Sequence, residues 1–395
     1  MRSEICIIGG GGHVGLPLSI AFAGGGKVVT IYDINTKNLQ KIENGNLPFY
    51  EKDAEEKLQS VIGKTLFTSD SPEVISEADF VIVIIGTPVD EHLNPRFQDM
   101  KNFFDTIIPY LRDGQILILR STVYPGLTEK TRKILQSKYP NIEVCFCPER
   151  IAEGEAMREL HSLPQIVSGF NDTAVKKSAE LFKSLTEDII YLSPLEAELA
   201  KLFTNSWRYI QFAIANQFYM IAENSGLDFY KIYDAMTFNY PRAKGFPKPG
   251  WTAGPCLFKD TMQISAFAKN NFFLGHSAML INEGLPNFII DNLKKGSDLE
   301  FATVGILGMA FKADSDDKRE SLSYKLKKIL EIEAKNVYCS DAYIKDERFI
   351  SEDKMIEKCD IIIIGAPHKR YKQLDYKNKE VIDIWGLISL TNDEK

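Results

Sequence analysis

An apolar run that ends in a glycine-rich turn constrains this chain more than any other feature. Ile5–Gly15 reads ICIIGGGGHVG, the apolar segment LPLSIAFA follows it, and a further apolar run, KVVTIYD, ends in Asp33. The order predicts strand, tight turn, helix and strand, with an acidic residue at the second strand's end. Gly10, Gly12 and Gly15 answer three demands of a pyrophosphate turn: a sharp bend, close approach of backbone to ligand, and tight helix-to-strand packing. His13 and Val14 lie in the same turn. The helix N-terminus beyond it attracts phosphate. A carboxylate at position 33 accepts hydrogen bonds from a ribose 2′-hydroxyl and repels a 2′-phosphate, so the turn reads as a site for NAD rather than NADP. The plain alternative is a glycine-rich turn that holds no cofactor.

The alternation of strand and helix continues. Ala78–Pro88 (ADFVIVIIGTP) and Gln115–Pro125 (QILILRSTVYP) read as buried parallel strands. Ligands of open parallel sheets sit beyond the carboxyl ends of the strands, where Thr87, Pro88, Ser121 and Thr122 fall. Ser121 and Thr122 also suit capping of a helix expected over 128–138. Ile142–Gly154 (IEVCFCPERIAEG) is a further strand and a polar turn with Glu149, Arg150 and Glu153. Carboxylates at i and i+4 past a strand end suit substrate and water handling, and equally a solvated loop.

From Pro194 the pattern changes. Residues 194–225 keep helical apolar spacing without Gly or Pro after Pro194. They predict one helix of about 45 Å at 1.5 Å per residue. Apolar around much of its girth, it is expected to be buried, to link domains and to form a subunit interface. Lys201 and Asn205 share a face of it. A buried lysine acts readily as a base, whereas a surface lysine merely extends its stem over apolar neighbours. Phe238–Pro249 (FNYPRAKGFPKP) offers Arg242, Lys244 and Lys248 to an anion, or is a solvated loop. Then comes GWTAGPCLFKD, Gly250–Asp260, with an apparent helix from about Thr261. Its glycines let backbone approach a ligand, and a thiolate near positive charge or a helix N-terminus is a strong nucleophile. A small buried hydrophobe is the other reading of Cys256.

At Phe301 the chain starts again. FATVGILGMAF, SLSYKLKKILEIEA and NVYCSDAY read as strand, helix and strand ending in Asp341, and CDIIIIGAPH echoes DFVIVIIGTP. This pseudo-repeat predicts a second α/β domain. It holds only Gly305-x-x-Gly308, so it binds a nucleotide less completely or binds a different one. Lys312–Arg319 (KADSDDKR) is a charged loop at its first strand end.

The expected fold class is therefore α/β: two doubly wound Rossmann-like domains joined by a long central helix with an α-helical middle domain. Boundaries are expected at 1–193, 194–297 and 298–395. A length of 395 residues accommodates this. The net charge of −7 argues against nucleic acid as a partner. No apolar run reaches membrane-spanning length, and the N-terminus enters a strand directly, without a signal peptide. Six cysteines lack zinc or disulfide spacing, so no metal is expected and a reducing cytoplasm fits best.

In their order, GGGGHVGLPLS, YDIN, GTP, STV-x-PG, PER-x-x-EG, E-x-ELAKLFTN, GPCLFKD and AFKADSDD-x-RES make the chain resemble the nucleotide-sugar 6-dehydrogenases. These act on UDP-glucose or UDP-N-acetylhexosamines (mannosamine or glucosamine). The resemblance covers nearly the whole chain. It implies oxidation of a sugar C6 alcohol to the carboxylate with two NAD per sugar, for polysaccharide precursors. Cys256 would trap the aldehyde as a thiohemiacetal, whose oxidation gives a thioester that water hydrolyses. By position, Lys201 and Asn205 would hold the substrate oxygen, Asp260 would orient water or Lys201, and Glu149 and Thr122 would serve thioester hydrolysis. Glu149, Arg150, Arg242, Gly250, Phe311 and Lys312 would contact substrate, and Glu153, Lys259 and Arg319 the cofactor. A homodimer built on the long helix and a UDP-covering C-terminal domain are implied too.

Two departures stand out. Ala253-Gly254 replaces the usual Gly-Gly, and Arg120 stands where a lysine is often found. Glu149-Arg150 looks more like the N-acetylhexosamine members and GPCLFKD more like the UDP-glucose members. Arg150 inclines the reading to an N-acetylhexosamine, with UDP-glucose giving UDP-glucuronate as the alternative. Two other classes remain: a two-electron dehydrogenase of the hydroxyacid type, which needs neither Cys256 nor the repeat, and a non-enzymatic NAD-binding protein, which needs only the first turn and Asp33.

Overall fold

The computed structural model describes residues 3–87, 89–90, 92–252, 254 and 256–388. The chain divides into two compact units, Met1–Phe203 and Thr204–Lys395.

The first unit is built on an eight-stranded sheet. Its strands are β1 (Ile5–Ile8), β2 (Val29–Tyr32), β3 (Leu66–Ser69), β4 (Phe80–Val83), β5 (Ile116–Leu119), β6 (Glu143–Phe146), β7 (Gln165–Gly169) and β8 (Ile189–Leu192). The spatial order is β3-β2-β1-β4-β5-β6-β7-β8. Chain direction across the sheet reverses beside β1, which pairs with both β2 and β4. That reversal opens a crevice at the carboxyl ends of β1 and β4, where ligands of such sheets bind. Continuous apolar strands are what a sheet covered on both faces requires. Ile7 and Ile31 face Leu16, Ile20 and Phe22, whereas Val81, Val83, Leu119 and Phe146 join Phe104 and Leu135 on the opposite side. One strand breaks the expected alternation: β7 runs antiparallel to β6.

The second unit carries a four-stranded parallel sheet: β9 (Thr303–Leu307), β10 (Asn336–Ser340), β11 (Ile361–Ile364) and β12 (Glu380–Ile382), in the order β10-β9-β11-β12. The neighbourhood β10-β9-β11 reproduces β2-β1-β4, so the pseudo-repeat is a repeat of topology. Helices Phe229–Thr237, Leu257–Phe267 and Phe273–Gly296 belong to this unit.

The helix Pro194–Asn224 runs 31 residues without a break. Burial around its whole girth does not hold for the chain by itself. Leu202, Tyr209, Ala213, Ala215 and Tyr219 are buried, while Phe203, Trp207, Ile214, Phe218 and Ile221 are exposed. A helix apolar all round needs partners all round, and this chain covers one side. None of the helices in the described residues is long and apolar enough to cross a membrane.

Candidate active site

The glycine turn behaves as its spacing predicts. A Cβ on Gly15 would fall 2.5 Å from the Gly9 carbonyl oxygen and 2.6 Å from Gly10 Cα, so helix and strand pack too closely for any side chain. A Cβ on Gly10 would meet both branches of Ile31 at 2.9 Å. Gly12 differs. Its Cβ would meet only Gly9 O, at 3.6 Å, so this glycine faces open space. Packing explains Gly10 and Gly15, whereas nothing in the chain's own packing requires glycine at position 12. The helix Gly15–Gly24 starts at the turn and points its N-terminus into the cradle. Asp33, past the end of β2, accepts Gly11 N–H at 2.9 Å through Oδ2 and Asn35 N–H at 2.9 Å through Oδ1. His13 stacks on Phe49 with ring centroids 3.9 Å apart, and Val14 is the N-cap of the helix. Cradle and carboxylate fit an NAD pyrophosphate and ribose.

The strand ends beside this turn are tied together. Ser121 Oγ accepts Ile85 N–H at 2.7 Å, and Thr87 Oγ1 donates to Thr122 O at 2.7 Å. Capping by Ser121 or Thr122 is therefore not what these residues do. The helix runs over Leu127–Gln136 with Gly126 as its N-cap. Glu198, from the long helix, binds its first turn, accepting Gly126 N–H at 2.6 Å, Thr128 N–H at 2.9 Å and Thr128 Oγ1–H at 2.5 Å. Burial raises the Glu198 pKa despite these bonds. Pro88 lies outside the described residues.

Glu149 turns inward rather than pairing with Glu153 on an open loop. Its Oε1 accepts the N–H groups of Arg150 (2.7 Å) and Ile151 (3.1 Å), and Arg120 donates to its Oε2. Arg120 is buried, donates also to Cys147 O and Gln165 Oε1, and lies over the Phe182 ring. A lone buried carboxylate is costly, and this guanidinium together with the two backbone N–H groups offsets part of that cost. Arg150, half-buried, donates to Pro164 O, and burial lowers its pKa. Glu51, buried, accepts Gly154 N–H and Ala156 N–H, both at 2.8 Å, and so fixes the loop after Glu153.

In the second unit the helix Leu257–Phe267 begins at once after Cys256, four residues earlier than its apolar pattern suggests, with Cys256 as its N-cap. Cys256 is exposed, against the buried-hydrophobe reading. A helix N-terminus favours the thiolate. Lys259 and Asp260 occupy the first turn, with Lys259 Nζ 3.2 Å from Asp260 Oδ1. Asp260 is fully buried and accepts Asn205 Nδ2–H at 2.6 Å. That bond uses one of the two amide hydrogens of Asn205. Lys201, half-buried, stands one turn earlier on the long helix.

Two loop glycines have definite causes. Gly250 has φ +153°, and its Cβ would enter the Trp385 ring, 2.2 Å from the nearest atom. Gly254 has φ +99°, and its Cβ would fall 2.7 Å from the Phe311 ring. The thiol loop thereby packs directly on Phe311, beside Lys312. Ala253 lies outside the described residues. Arg319 is exposed, and its guanidinium pairs with Asp317. Arg242 and Lys244 are exposed, with Arg242 Nη1 3.1 Å from Tyr240 Oη. Lys248 is turned away from solvent over the rings of Tyr230 and Tyr233, where burial lowers its pKa.

Sequence reasoning passed over Asn216, Asn282, Glu198 and Glu51 as working residues. Buried Asn216 donates to Gly250 O and to Asn282 Oδ1 and accepts Gly250 N–H. An asparagine within the apolar run FAIANQFYM was the available signal, because a buried amide must have partners.

Fold and first-unit geometry define a dinucleotide-binding protein of the doubly wound α/β class. Its family follows from comparison with known proteins. Residues 3–187 match the NAD binding domain of the UDP-glucose/GDP-mannose dehydrogenase family, 195–283 the central domain and 305–389 the UDP binding domain. The UDP-N-acetyl-D-mannosamine dehydrogenase of Methanocaldococcus jannaschii is 31% identical, across 98% of this chain and 93% of that protein. The solved structure of a UDP-D-ManNAc dehydrogenase from Pyrococcus horikoshii superposes with a TM-score of 0.87 at 28% identity, covering 94% of this chain and 91% of that one. A UDP-glucose dehydrogenase from Pyrobaculum islandicum shares the fold, with a TM-score of 0.87 at 22% identity over 97% and 94% of the two chains. The chain belongs to the UDP-glucose/GDP-mannose dehydrogenase family. It is an NAD-dependent nucleotide-sugar dehydrogenase.

Proposed function

We propose that this enzyme oxidises the C6 hydroxyl of a UDP-N-acetylhexosamine to the carboxylate through a covalent intermediate on Cys256. The observation that carries the covalent step is the exposed thiol at a helix N-terminus, with Lys259 and Asp260 in that helix's first turn. The full-length UDP-N-acetyl-D-mannosamine dehydrogenase relative supports the sugar.

NAD, held by the Gly10–Gly15 turn and Asp33, supplies a hydride acceptor at each of two oxidations. The chain's own residues do the rest. Lys201 and Asn205 hold the C6 oxygen, and Lys201 takes its proton. The Cys256 thiolate forms an S–C bond to the aldehyde carbon while the carbonyl oxygen becomes an alkoxide, which the same two groups stabilise. Loss of that carbon's hydride leaves a thioester. Water then adds to its carbon, the S–C bond breaks, and carboxylate and thiol result, with one proton released to solvent. A free aldehyde has no alkoxide to push out the second hydride, and the thiol adduct has one. Asp260 orients Asn205 through their hydrogen bond. Glu149, anchored by Arg120 and two backbone N–H groups, and Thr122 are assigned to thioester hydrolysis. Glu153, Lys259 and Arg319 are assigned to the cofactor, and Arg150, Arg242, Gly250, Phe311 and Lys312 to the substrate.

The exposed stripe Phe203, Trp207, Ile214, Phe218 and Ile221 supports a homodimer built on the long helix, because contiguous apolar surface of this kind marks an interface. A thiol nucleophile must stay reduced, which agrees with a cytoplasmic setting.

NADH released per limiting sugar tests the reading, with UDP-N-acetylmannosamine, UDP-N-acetylglucosamine and UDP-glucose compared side by side. Two NADH from an N-acetylhexosamine are expected, and none from Cys256→Ala beyond the first oxidation. One NADH per sugar would remove the covalent route, and two from UDP-glucose alone would transfer the assignment to that sugar.

A further inference from the structure

The C-terminal sheet holds a buried histidine with no part in the chemistry just described. His368 follows β11 in the segment Gly365–His368 and is fully buried. Its Nδ1 lies 2.8 Å from Asp314 N, and its Nε2 lies 3.3 Å from Asp341 Oδ2. A backbone N–H can only donate, so Nδ1 is the acceptor and the ring proton sits on Nε2, facing Asp341. The tautomer is thus set by the contacts.

Both neighbours are themselves fixed. Asp341, past the end of β10, accepts Met309 N–H (2.6 Å) and Ala310 N–H (3.0 Å) through Oδ2, and Tyr343 N–H and Ile344 N–H (both 2.8 Å) through Oδ1. Tyr343 and Tyr371 flank the imidazole with ring centroids 4.9 and 5.1 Å away. Asp314 stands in the left-handed region at φ +49°, a conformation that costs an aspartate energy unless its surroundings hold it. Its Oδ1 accepts Lys369 N–H at 3.1 Å, and Lys369 Nζ is 3.3 Å from its Oδ2. The chain around His368 therefore grips Asp314 by its backbone and by its carboxylate.

Asp314 lies in the loop Lys312–Arg319, which directly follows Phe311, the residue whose ring packs against Gly254 of the thiol loop. Further along, Phe311 N–H donates to Asp317 O at 3.0 Å, and Ser315 Oγ accepts Asp317 N–H at 3.1 Å. Those bonds shape the loop internally. His368, Lys369 and Tyr343 connect its middle to the second sheet, with Tyr343 Oη donating to Asp314 Oδ1 at 3.4 Å.

We infer that His368 is a positioning residue for sugar-nucleotide binding: its Nδ1 holds the Asp314 backbone and thereby sets where Phe311 and Lys312 meet the substrate. The inference rests on the reading of Phe311 and Lys312 as substrate contacts. A buried imidazole that only filled space could be replaced by an apolar residue without an effect on binding. One that holds a strained backbone through a single acceptor cannot.

The test uses the full-length enzyme with NAD and the UDP-sugar it turns over. His368→Leu removes the acceptor. His368→Asn restores an acceptor close to the Nδ1 position, and His368→Gln restores a polar group close to Nε2. The expected result is a KM for the UDP-sugar raised about tenfold in the Leu and Gln variants, equivalent to about 1.4 kcal/mol of binding. The KM for NAD, and the yield of NADH per sugar, stay at parent values. The Asn variant is expected to return most of the lost affinity. Equal behaviour of Asn and Gln would overturn the proposal, as would an unchanged sugar KM in Leu. If Leu fails to fold, the Asn–Gln pair decides. Lys312→Ala is the control for the underlying reading. An unchanged sugar KM in Lys312→Ala would overturn the substrate assignment and the tether with it. A raised one, with no effect at His368, would overturn the tether alone.

Discussion

Asn216 holds Gly250 by both of its backbone groups: its Nδ2 donates to Gly250 O at 3.1 Å and its Oδ1 accepts Gly250 N–H at 2.8 Å. The residue so held opens the loop that carries Cys256. Asn205, on the same helix, binds Asp260 at the loop's other end. Two asparagines of one helix thus bracket the thiol. Asn216 is in turn oriented by Asn282, which donates to Tyr209 O at 3.1 Å.

Asn216→Ala orphans both backbone groups of Gly250 in a fully buried place. Each buried unsatisfied group costs about 1–3 kcal/mol, so a loss of about 2–6 kcal/mol in unfolding free energy is expected from urea denaturation. A loss under about 0.5 kcal/mol, the range of neutral surface substitutions, would show that the clamp is not what holds the loop.

Thiol alkylation should single out one cysteine. Burial raises Cys6 to about 12 and Cys145, Cys339 and Cys359 to about 11, and raises Cys147 as well. All five are buried and protonated near neutrality, while Cys256 is exposed. Iodoacetamide at about pH 8, below the range where those thiols ionise, should label Cys256 alone in the folded enzyme. Mass spectrometry that finds a second labelled thiol before unfolding would contradict this.

Asp33→Ala removes the acceptor of Gly11 N–H as well as the carboxylate proposed to hold the ribose. The KM for NAD should rise about tenfold, which corresponds to about 1.4 kcal/mol, and the preference over NADP should narrow. Steady-state kinetics with both cofactors would expose an error if NAD affinity did not change.

Acid should unfasten the C-terminal sheet's strand ends. Burial alone would raise the Asp341 pKa, but hydrogen bonds from His368 and from Ile344 and Tyr343 N–H outweigh it, so the carboxyl stays below its usual range. A depressed folded pKa means that the unfolded state takes up the proton first. The stabilisation is complete above the unfolded value of about 3.9 and is lost as pH falls through the folded value. Urea midpoints should fall less steeply below about pH 4 in Asp341→Asn than in the parent. Parallel slopes would remove Asp341 from the acid response.

Much of the site was legible because its residues act locally. The glycines at 10 and 15 are required by packing that strand and helix create within a few residues, and Asp33 follows from the strand that must come next. The thiol loop was legible by composition, through Gly, Pro and Cys beside Lys259 and Asp260. Its helix begins earlier than the apolar pattern suggests because Asp260, polar in sequence, is buried in the fold with Asn205 and Lys259 as its partners.

Sequence by itself determined the two βα repeats and the long helix and singled out the candidate reactive groups, because periodicity, turn chemistry and side-chain chemistry are local properties. Tertiary structure alone decided which polar residues are held and by what. Glu149 was given Arg120 as its counter-ion, Gly250 its Asn216 clamp, and Asp314 its bond to His368. These partners lie far apart along the chain, and each is imposed by the same rule: a polar group taken out of water must find its complement wherever the fold brings one.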